Sequence, residues 1–150
     1  MRHALAPGTG DPVGFEPGRC ETQRNLSDAG REQAVAMGDA LRANGIEAAT
    51  VLSSEWCRCL ETARGLDMGD PEPVALLNSF FQDRSVAEEQ TLALHALLDQ
   101  WLLSPDGARV LVTHQVNIRA LTGEYTGSGD MLIVTVEDGE TVVLARLDAE

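Results

Sequence analysis

Cations are scarce in this sequence of 150 residues, and long apolar runs are missing from it. Its 11 Lys+Arg stand against 24 Asp+Glu, which gives a formal net charge of -13 at pH 7. Such a charge repels nucleic acid and anionic lipid at long range, so a role in binding either of them is not expected. No apolar stretch approaches the ~20 residues that a membrane-spanning helix requires, so no membrane span is expected.

Cysteine is also scarce, and its positions are Cys20, Cys57 and Cys59. The Cys57-x-Cys59 pair with a histidine would supply three ligands, whereas structural zinc sites use four, so a metal site is not predicted. The alternative is two cysteines on one helix, one of them buried. A disulfide from Cys20 to either member of the pair is expected only outside a reducing cytosol. A chain of this length can hold a core without such links, and we predict a single domain over residues 1–150.

The first part of the chain combines a long loop with a helix. Residues 5–25 contain four Gly and three Pro without periodicity, which predicts a loop of unusual length. Such loops in compact domains are often functional. Residues 26–45 predict a helix that has Ser27 as its N-cap and ends at Gly45.

The rest of the chain alternates between strand and helix. Residues 49–54 predict a strand, and residues 55–66 predict a helix capped by Ser53 or Ser54. The later predicted elements are a strand and turn at 73–81, a helix at 86–104, a strand at 108–114, a short helix at 115–123 and a β-hairpin at 130–147 around Asp138-Gly139. The predicted helix at 86–104 is expected to pack six side chains inward, namely Leu92, Leu94, Leu97, Leu98, Trp101 and Leu102.

This alternation predicts an α/β protein, a three-layer α/β/α sandwich with a mostly parallel sheet. In such sheets, ligands bind beyond the carboxyl ends of the strands. That rule places three segments together at one edge of the sheet. If a strand precedes Arg2, then Arg2 and His3 lie at the same edge. The three segments are Ser53–Arg58, Asn78–Asp83 and His114–Asn117.

Two histidines and two arginines on this rim stand out in so acidic a protein. Arg58 lies in the first turn of its predicted helix and His114 just before another helix, where backbone N–H groups favour an anion. A neutral imidazole can attack phosphorus when its other nitrogen is held by a hydrogen bond, while arginines neutralise the transferring oxygens. A carboxylic acid must then protonate the leaving oxygen. Asp83 is the best-placed candidate, and Glu88 and Glu89 are the alternatives.

These residues fall within motifs that resemble those of the histidine phosphatase superfamily, which has the phosphoglycerate mutase-like fold. The family's Arg-His-Gly corresponds to Arg2-His3-Ala4, and its second catalytic histidine corresponds to His114. The stretches "LSDAGREQA" and "SSEWCRCLETA" match two further family motifs, in the right order. The compact size resembles the branch that includes phosphatases of lipopolysaccharide core heptose phosphates and phosphohistidine phosphatases.

The resemblance implies a metal-independent phosphomonoesterase that needs no cofactor and acts on a small phosphorylated substrate, as a monomer or a weak dimer. His3 would be the nucleophile that forms a phosphohistidine. Asp83 would be the proton donor, by position only. The groups that would bind the phosphoryl oxygens are Arg2, Arg58, His114 and, matching an additional arginine of some small members, Arg24.

The sequence departs from the family pattern at two points. Ala4 replaces the family's glycine, which is tolerated if the backbone there keeps a negative φ. Only Met1 precedes Arg2, where relatives have a full apolar strand in the middle of the sheet. An empty central position would leave unpaired backbone groups, each costing ~1–3 kcal/mol when buried. We therefore expect that the domain is truncated at its N-terminus, and that the protein is cytoplasmic as written but periplasmic or exported if a signal peptide has been lost.

A function of a different class is a catalytically weak or inactive domain that binds phosphoanions. Binding alone would need only the arginines, so the presence of both His3 and His114 favours the enzyme. His114 could also be a satisfied core histidine, and Arg58 could cover apolar surface with its stem. A mutase is a weaker alternative, because the chain has no insertion that could build a lid.

Overall fold

A short parallel sheet forms the centre of the protein. The computed structural model describes residues 1–104 and 106–149. Strands β1 (Ala49–Ser53) and β3 (Ala108–Val112) pair in parallel, and β2 (Glu72–Pro73) pairs with the other edge of β1. The sheet order is therefore β2-β1-β3. This parallel sheet confirms the predicted α/β class.

Helices cover both faces of this sheet. Helices α1 (Asp28–Ala43) and α2 (Cys57–Gly65) pack on one face, against a cluster that contains Val51, Val110 and Val112. Helices α3 (Ala87–Leu102) and α4 (Gln115–Thr122) pack on the other face. The core residues there include Leu52, Leu77, Leu94 and Leu111. Successive strand residues point to opposite faces, so one short apolar strand contributes side chains to the core on both sides of the sheet. The predicted three-layer sandwich is confirmed.

The chain ends in an antiparallel hairpin of β4 (Met131–Glu137) and β5 (Glu140–Leu147). Its turn residues Asp138 and Gly139 have φ values of 52° and 80°, as a two-residue hairpin turn requires. The predicted hairpin is confirmed. The prediction for α1 is confirmed as well, since the hydroxyl of Ser27 accepts a hydrogen bond from the N–H of Gly30 at 3.1 Å.

The first three residues bridge the parallel sheet and the segment that leads into the hairpin. Arg2 forms an isolated parallel bridge with Thr113, just beyond the end of β3. On one side, the N–H of His3 donates to the carbonyl of Thr113, and on the other the N–H of Arg2 donates to the carbonyl of Asp130, both at 3.0 Å. The segment is too short for a strand, yet these bonds place Arg2 and His3 at the carboxyl end of the sheet.

An apolar groove of about 400 Å³ lies on the amino-terminal side of this bridge, between β3 and β4. Over the described residues, β3 pairs with no strand but β1, and β4 pairs only with β5. Each strand therefore presents an unpaired edge to the groove. The amino group of Met1 is buried here and donates to the carbonyl of Leu111 at 2.6 Å. Burial lowers the pKa of this amino group from 8.0 to about 5.

Helix α2 begins later than predicted. Its first residue is Cys57 and its N-cap is Trp56, which makes no side-chain capping bond. The prediction that Ser53 or Ser54 caps the helix was wrong. Both serines are fully buried. The hydroxyl of Ser53 donates to the carbonyl of Ser54, and that of Ser54 donates to Asn78. The oxygen of Ser54 accepts from the N–H of Trp56 at 3.3 Å, which lies before the first turn of α2, so it caps none of the helical N–H groups.

The predicted strand at 73–81 is almost absent. Only Glu72–Pro73 pairs with β1, and the chain then turns into a short 3₁₀ helix, Ala75–Leu77. Proline has no N–H to donate, so it stands at the end of a ladder rather than within it. Leu77 is fully buried by this turn.

Two of the six side chains expected to point inward from α3 are exposed instead. Leu94 and Leu98 are buried, but Leu92 is 63% exposed and Leu102 is 53% exposed. Leu92 precedes Leu94 by two residues, which is about 200° around a helix, so it faces solvent. Leu102 lines the groove. Its exposure reflects the open space between β3 and β4.

Candidate active site

A pocket of about 240 Å³ opens at the carboxyl end of the parallel sheet. The segments that follow Met1, β1 and β3 meet there, as expected for this architecture. The structure brings together five of the predicted site residues, namely Arg2, His3, Arg24, Arg58 and His114. Other side chains of the lining are those of Thr9, Asp11, Trp56, Ser79, Phe81, Gln82, Gln115 and Val116.

His3 is held as a neutral imidazole with one free nitrogen. It is 2% exposed, and its Nδ1 lies 2.8 Å from the carbonyl oxygen of Ala4. A carbonyl can only accept, so Nδ1 carries the proton and Nε2 keeps its lone pair. Burial lowers the pKa of His3 to about 3, and the neighbouring charges of Arg58 and Arg2 act in the same direction. The ring is therefore neutral at neutral pH, with an unprotonated Nε2, which is the state that a nucleophilic imidazole requires.

The second histidine faces the first. The ring centroids of His3 and His114 are 5.5 Å apart in an edge-to-face arrangement. His114 is 4% exposed, and its Nε2 lies 2.9 Å from the hydroxyl oxygen of Ser54. Burial, and secondarily the proximity of His3 and Arg58, lowers the pKa of His114 well below its ordinary value. Both rings are neutral before an anion enters, and His114 is not an isolated core histidine.

Three guanidinium groups surround this pair. Arg2 donates through Nη1 to the carbonyl of Thr126 at 2.7 Å, and Arg24 donates through Nε to the carbonyl of Gly10 at 2.7 Å. Arg58 is only 3% exposed and lies in the first turn of α2. The buried Nε atoms of Arg2 and Arg58 have no hydrogen-bond partner among the described residues. Unpaired cationic donors of this kind are suited to bind phosphoryl oxygens.

One charged group in the pocket, the carboxylate of Asp11, is not among the residues predicted from the sequence. It is the only carboxylate that lines the pocket within residues 1–104 and 106–149. Its two oxygens lie 2.7 and 3.1 Å from Nη1 and Nη2 of Arg58. No spacing rule could pair these residues, because 47 positions separate them and Asp11 lies in a loop without periodicity. The signal that existed was the loop itself, whose length indicated a functional role.

The loop of residues 5–25 is fixed to α2 by a covalent link. Cys20 and Cys57 form a disulfide, which settles the pairing that the sequence left open. The side-chain oxygen of Gln23 accepts from the N–H of Cys57 at 2.9 Å, next to this link. Cys59 is free and buried. Burial raises its pKa to about 12, so it stays a thiol.

The disulfide leaves Cys57 without a thiol that could bind a metal ion. Across the residues that the structure describes, no group of three or more His, Cys, Asp or Glu side chains could hold a metal ion. The pocket chemistry is that of two imidazoles, three guanidinium groups and one carboxylate.

The predicted proton donors lie elsewhere. Asp83 is exposed and does not line the pocket; its carboxylate accepts hydrogen bonds from the N–H and hydroxyl of Ser85 at 3.0 and 2.5 Å. These bonds lower the pKa of Asp83 below its ordinary value. Glu88 and Glu89 are exposed in the first turn of α3 and do not line the pocket either. The structure therefore brings none of the three to the histidines.

Ala4, which stands where the family has glycine, is accommodated without strain. Its φ is not positive, and its side chain is fully buried. The N–H of Ala4 donates to the hydroxyl of Thr62 at 2.9 Å, which ties the backbone beside His3 to α2. The substitution therefore leaves the position of His3 intact.

The comparison with known proteins agrees with this geometry. Residues 16–81 match the model of the histidine phosphatase superfamily (branch 1). No match is found among curated proteins. None of the helices in the described parts of the chain is long and apolar enough to cross a membrane.

Solved structures show the same fold at low sequence identity. The protein histidine phosphatase SixA complexed with tungstate is 21% identical with a TM-score of 0.64, and the match covers 99% of this chain and 94% of that one. A mycobacterial glucosyl-3-phosphoglycerate phosphatase complexed with VO3 is 17% identical with a TM-score of 0.66 over 95% and 94% of the two chains. A phosphoserine phosphatase from Entamoeba histolytica in complex with phosphoserine is 14% identical with a TM-score of 0.56 over 81% and 83%. These findings confirm the resemblance to the histidine phosphatases and the fold that it implies.

Proposed function

We propose that this protein is a phosphomonoesterase that works through a phosphohistidine on His3. The observation that carries the proposal is the state of that ring. Nδ1 donates to the carbonyl of Ala4 and Nε2 is left unprotonated, in a pocket lined by Arg2, Arg24 and Arg58. The likeness to three phosphatases, two of them with the phosphate analogues tungstate and VO3, supports the same conclusion. A binding domain without turnover is not favoured.

The reaction has two steps. Nε2 of His3 attacks phosphorus, the P–O bond to the leaving group breaks, and the leaving oxygen takes a proton. Water then attacks the phosphohistidine, the P–N bond breaks, and inorganic phosphate leaves with His3 neutral again. During both steps the carbonyl of Ala4 accepts the Nδ1–H, which stabilises the positive charge that develops on the ring. Arg2, Arg58 and His114 bind the phosphoryl oxygens.

The source of the leaving-group proton limits the substrate. Asp11 lines the pocket. Burial by itself would raise its pKa, but the hydrogen bonds and charge of Arg58 lower it overall, so the carboxylate stays ionised. We propose that the proton comes from water, since Asp83 does not line the pocket. Small phosphate esters with weakly basic leaving groups, such as aryl phosphates, are then the best substrates.

The first experiment is hydrolysis of an aryl phosphate in EDTA. We propose that catalysis needs no metal and no cofactor, so chelation should leave turnover unchanged. His3→Ala should abolish it. His95→Ala is the matched control, because His95 lies on α3, bonded to Thr141 and outside the pocket. Loss of turnover in EDTA, or full activity of a folded His3→Ala variant, would overturn the proposal.

We also propose that the protein works in an oxidising compartment, as a periplasmic or exported protein does. The Cys20–Cys57 disulfide supports this, since such links persist there and are rare in reducing cytosol. Thiol titration of unfolded protein, purified under an alkylating agent, should find one reactive thiol per chain, that of Cys59. Three thiols would contradict the proposal.

The partner is a small phosphorylated molecule, because a pocket of about 240 Å³ fits a small ligand. The net charge of -13 argues against nucleic acid as a substrate. We propose a monomer or a weak dimer in solution. Sedimentation at several concentrations tests this, and a stable higher oligomer would contradict it.

A further inference from the structure

Asp11 places a negative charge among cations that are arranged to bind an anion. Its side chain is 7% exposed. Besides Arg58, it accepts hydrogen bonds from the indole N–H of Trp56 at 3.2 Å and the backbone N–H of Arg24 at 3.3 Å. A carboxylate with this many donors is a fixed part of the pocket rather than a side chain that happens to turn inward.

The bonds of Arg58 show which of its edges remains available. A guanidinium has five N–H donors. Nη1 donates to Asp11 and, at 3.2 Å, to the carbonyl of Arg24, while Nη2 donates to Asp11 at 3.1 Å. Within the described parts of the chain, Nε has no partner and no second bond from Nη2 is found. The end edge of the group is therefore taken by Asp11, and on the side edge formed by Nε and Nη2 the buried Nε–H has no partner among the described residues. A guanidinium edge of this kind suits a bidentate anion.

The loop that carries Asp11 is anchored on both sides of it. Arg24 donates to the carbonyls of Gly10 and Ala6, and the Cys20–Cys57 disulfide joins the later part of the loop to α2. Displacement of Asp11 by a substrate would break its hydrogen bonds and move a cross-linked loop. The geometry thus argues against a carboxylate that competes with phosphate for Arg58.

We propose that Asp11 is a positioning residue. Its carboxylate accepts hydrogen bonds from the end edge of Arg58 and so orients the Nε–Nη2 edge toward the phosphoryl group. This inference rests on the proposed phosphatase function, and it assigns to the 5–25 loop a part in building the phosphate site. Without Asp11, Arg58 would lose the two hydrogen bonds that fix the end edge of its guanidinium.

Charge and positioning predict opposite results when Asp11 is changed to asparagine. The variant removes a negative charge within hydrogen-bond distance of Arg58, and this alone would strengthen anion binding. Asparagine keeps one oxygen acceptor but places an NH₂ group where the second oxygen of Asp11 stood. One of the two hydrogen bonds from Arg58 is then replaced by a contact between two donors, and the guanidinium is no longer held on both nitrogens. If positioning dominates, binding weakens although the pocket has become more positive.

The experiment is calorimetric titration of the intact protein with inorganic phosphate, with thermal unfolding as a check on folding. For Asp11→Asn we expect the dissociation constant to rise by about tenfold or more, as for loss of a charge-assisted contact. The matched control is Asp28→Asn, which removes the same charge from an exposed residue bonded to Arg31, and should leave binding unchanged. Equal or tighter binding by folded Asp11→Asn would overturn the proposal.

A second variant covers the case in which Asp11→Asn does not fold. Asp11→Glu keeps the charge and moves the carboxylate by one methylene, so a loss of phosphate binding there cannot come from charge. We expect it to weaken binding, whereas unchanged binding would overturn the proposal. In an Arg58→Ala background, neither change at Asp11 should weaken binding further, because Asp11 acts through Arg58.

The wild type separates the two proposals. If it binds phosphate and the Asp11 variants bind equally well, only the positioning role fails. If the folded wild type binds no phosphate, the proposed function fails and the positioning role with it.

Discussion

The bridge formed by Met1–His3 separates two regions of opposite character. On its carboxyl side, the candidate active site is polar, and its side chains are held by hydrogen bonds, with the Nε atoms of Arg2 and Arg58 left without a partner among the described residues. On its amino side, the groove between β3 and β4 is apolar and its strand edges are unpaired. The comparison shows that a few residues of backbone are enough to position the site, whereas over the described residues one edge of β3 and one edge of β4 have no partner strand at the groove.

Three residues are enough for the site because they are bonded from both sides. His3 and Arg2 donate to Thr113 and Asp130, and the N–H of Thr113 donates in return to the carbonyl of Met1 at 3.0 Å. These bonds fix the backbone that carries His3, the proposed nucleophile. In the groove, Met1 bonds to Leu111, but over the described residues β3 and β4 have no partner strand on these edges. A buried backbone group without a partner costs about 1–3 kcal/mol. Activity and stability therefore depend on different halves of the same region.

The largest expected effect is the loss of the nucleophile. His3→Ala should lower kcat/KM for an aryl phosphate by more than about a thousandfold, as removal of a covalent nucleophile does. The change lies on the active-site side alone, so the groove is untouched. The urea midpoint of unfolding should stay close to that of wild type, or rise, because a buried polar ring has been removed. A large drop in both activity and stability would contradict the separation of the two regions.

Filling the groove should have the next largest effect, this time on stability. An extension of five residues with alternating valine, joined to Met1, can pair with the free edges of β3 and β4 and cover Leu102. We expect the free energy of unfolding to rise by about 3 kcal/mol or more from new hydrogen bonds and apolar burial. Urea denaturation measures this.

The control for this experiment is an extension of equal length built from Gly and Ser, which has little tendency to form a strand. It also replaces the buried amino group of Met1 by a peptide N–H, as the valine extension does, so the difference between the two extensions isolates strand pairing. Specific activity per folded molecule should be equal in both. Equal stability of the two variants would show that the groove does not accept a strand.

The amino group of Met1 gives a smaller, pH-dependent effect. Its pKa is about 5 in the folded protein and 8.0 in the ordinary state, so the unfolded chain binds more protons between these values. Stability must then rise with pH across this interval, and it is lost as pH falls toward 5. Between pH 6.5 and 8 the amine should contribute roughly 1.5 kcal/mol, and the two buried histidines together should add about half as much, because their ordinary pKa is 6.5.

Acetylation of Met1 tests this assignment, because an acetylated amine cannot bind a proton. Urea titrations at pH 6.5 and 8 should show a smaller pH dependence for the acetylated protein than for the free one. An unchanged slope would mean that the amine is solvated in solution rather than buried against Leu111.

The two regions also differ in what the sequence could predict. The sequence predicts Arg58 and His114 as site residues, because they follow apolar strands at the carboxyl end of the sheet, where ligands bind. The order of helices and strands followed from periodicity, as did the turn at Asp138-Gly139. Asp11 was missed because its partner is far away in the chain and the contact depends on the path of an irregular loop. The short β2 was missed because an apolar stretch does not distinguish a strand from a turn that buries Leu77.

The smallest expected effect belongs to Asp83, the proton donor expected from sequence. Its carboxylate is exposed and caps a short 3₁₀ helix through Ser85, outside the pocket lining. Asp83→Asn keeps an oxygen acceptor for that cap, so kcat/KM for an aryl phosphate should change less than about twofold.

The decisive series uses phosphate esters of increasing leaving-group pKa. If water supplies the proton, the rates of wild type and Asp83→Asn fall in parallel along the series. If Asp83 moves in and donates its proton, the variant loses most on the most basic leaving groups, because only these need an acid. Such a divergence would mean that the 78–90 segment closes over the pocket during catalysis, and that the carboxyl side of the bridge is less complete than its hydrogen bonds indicate.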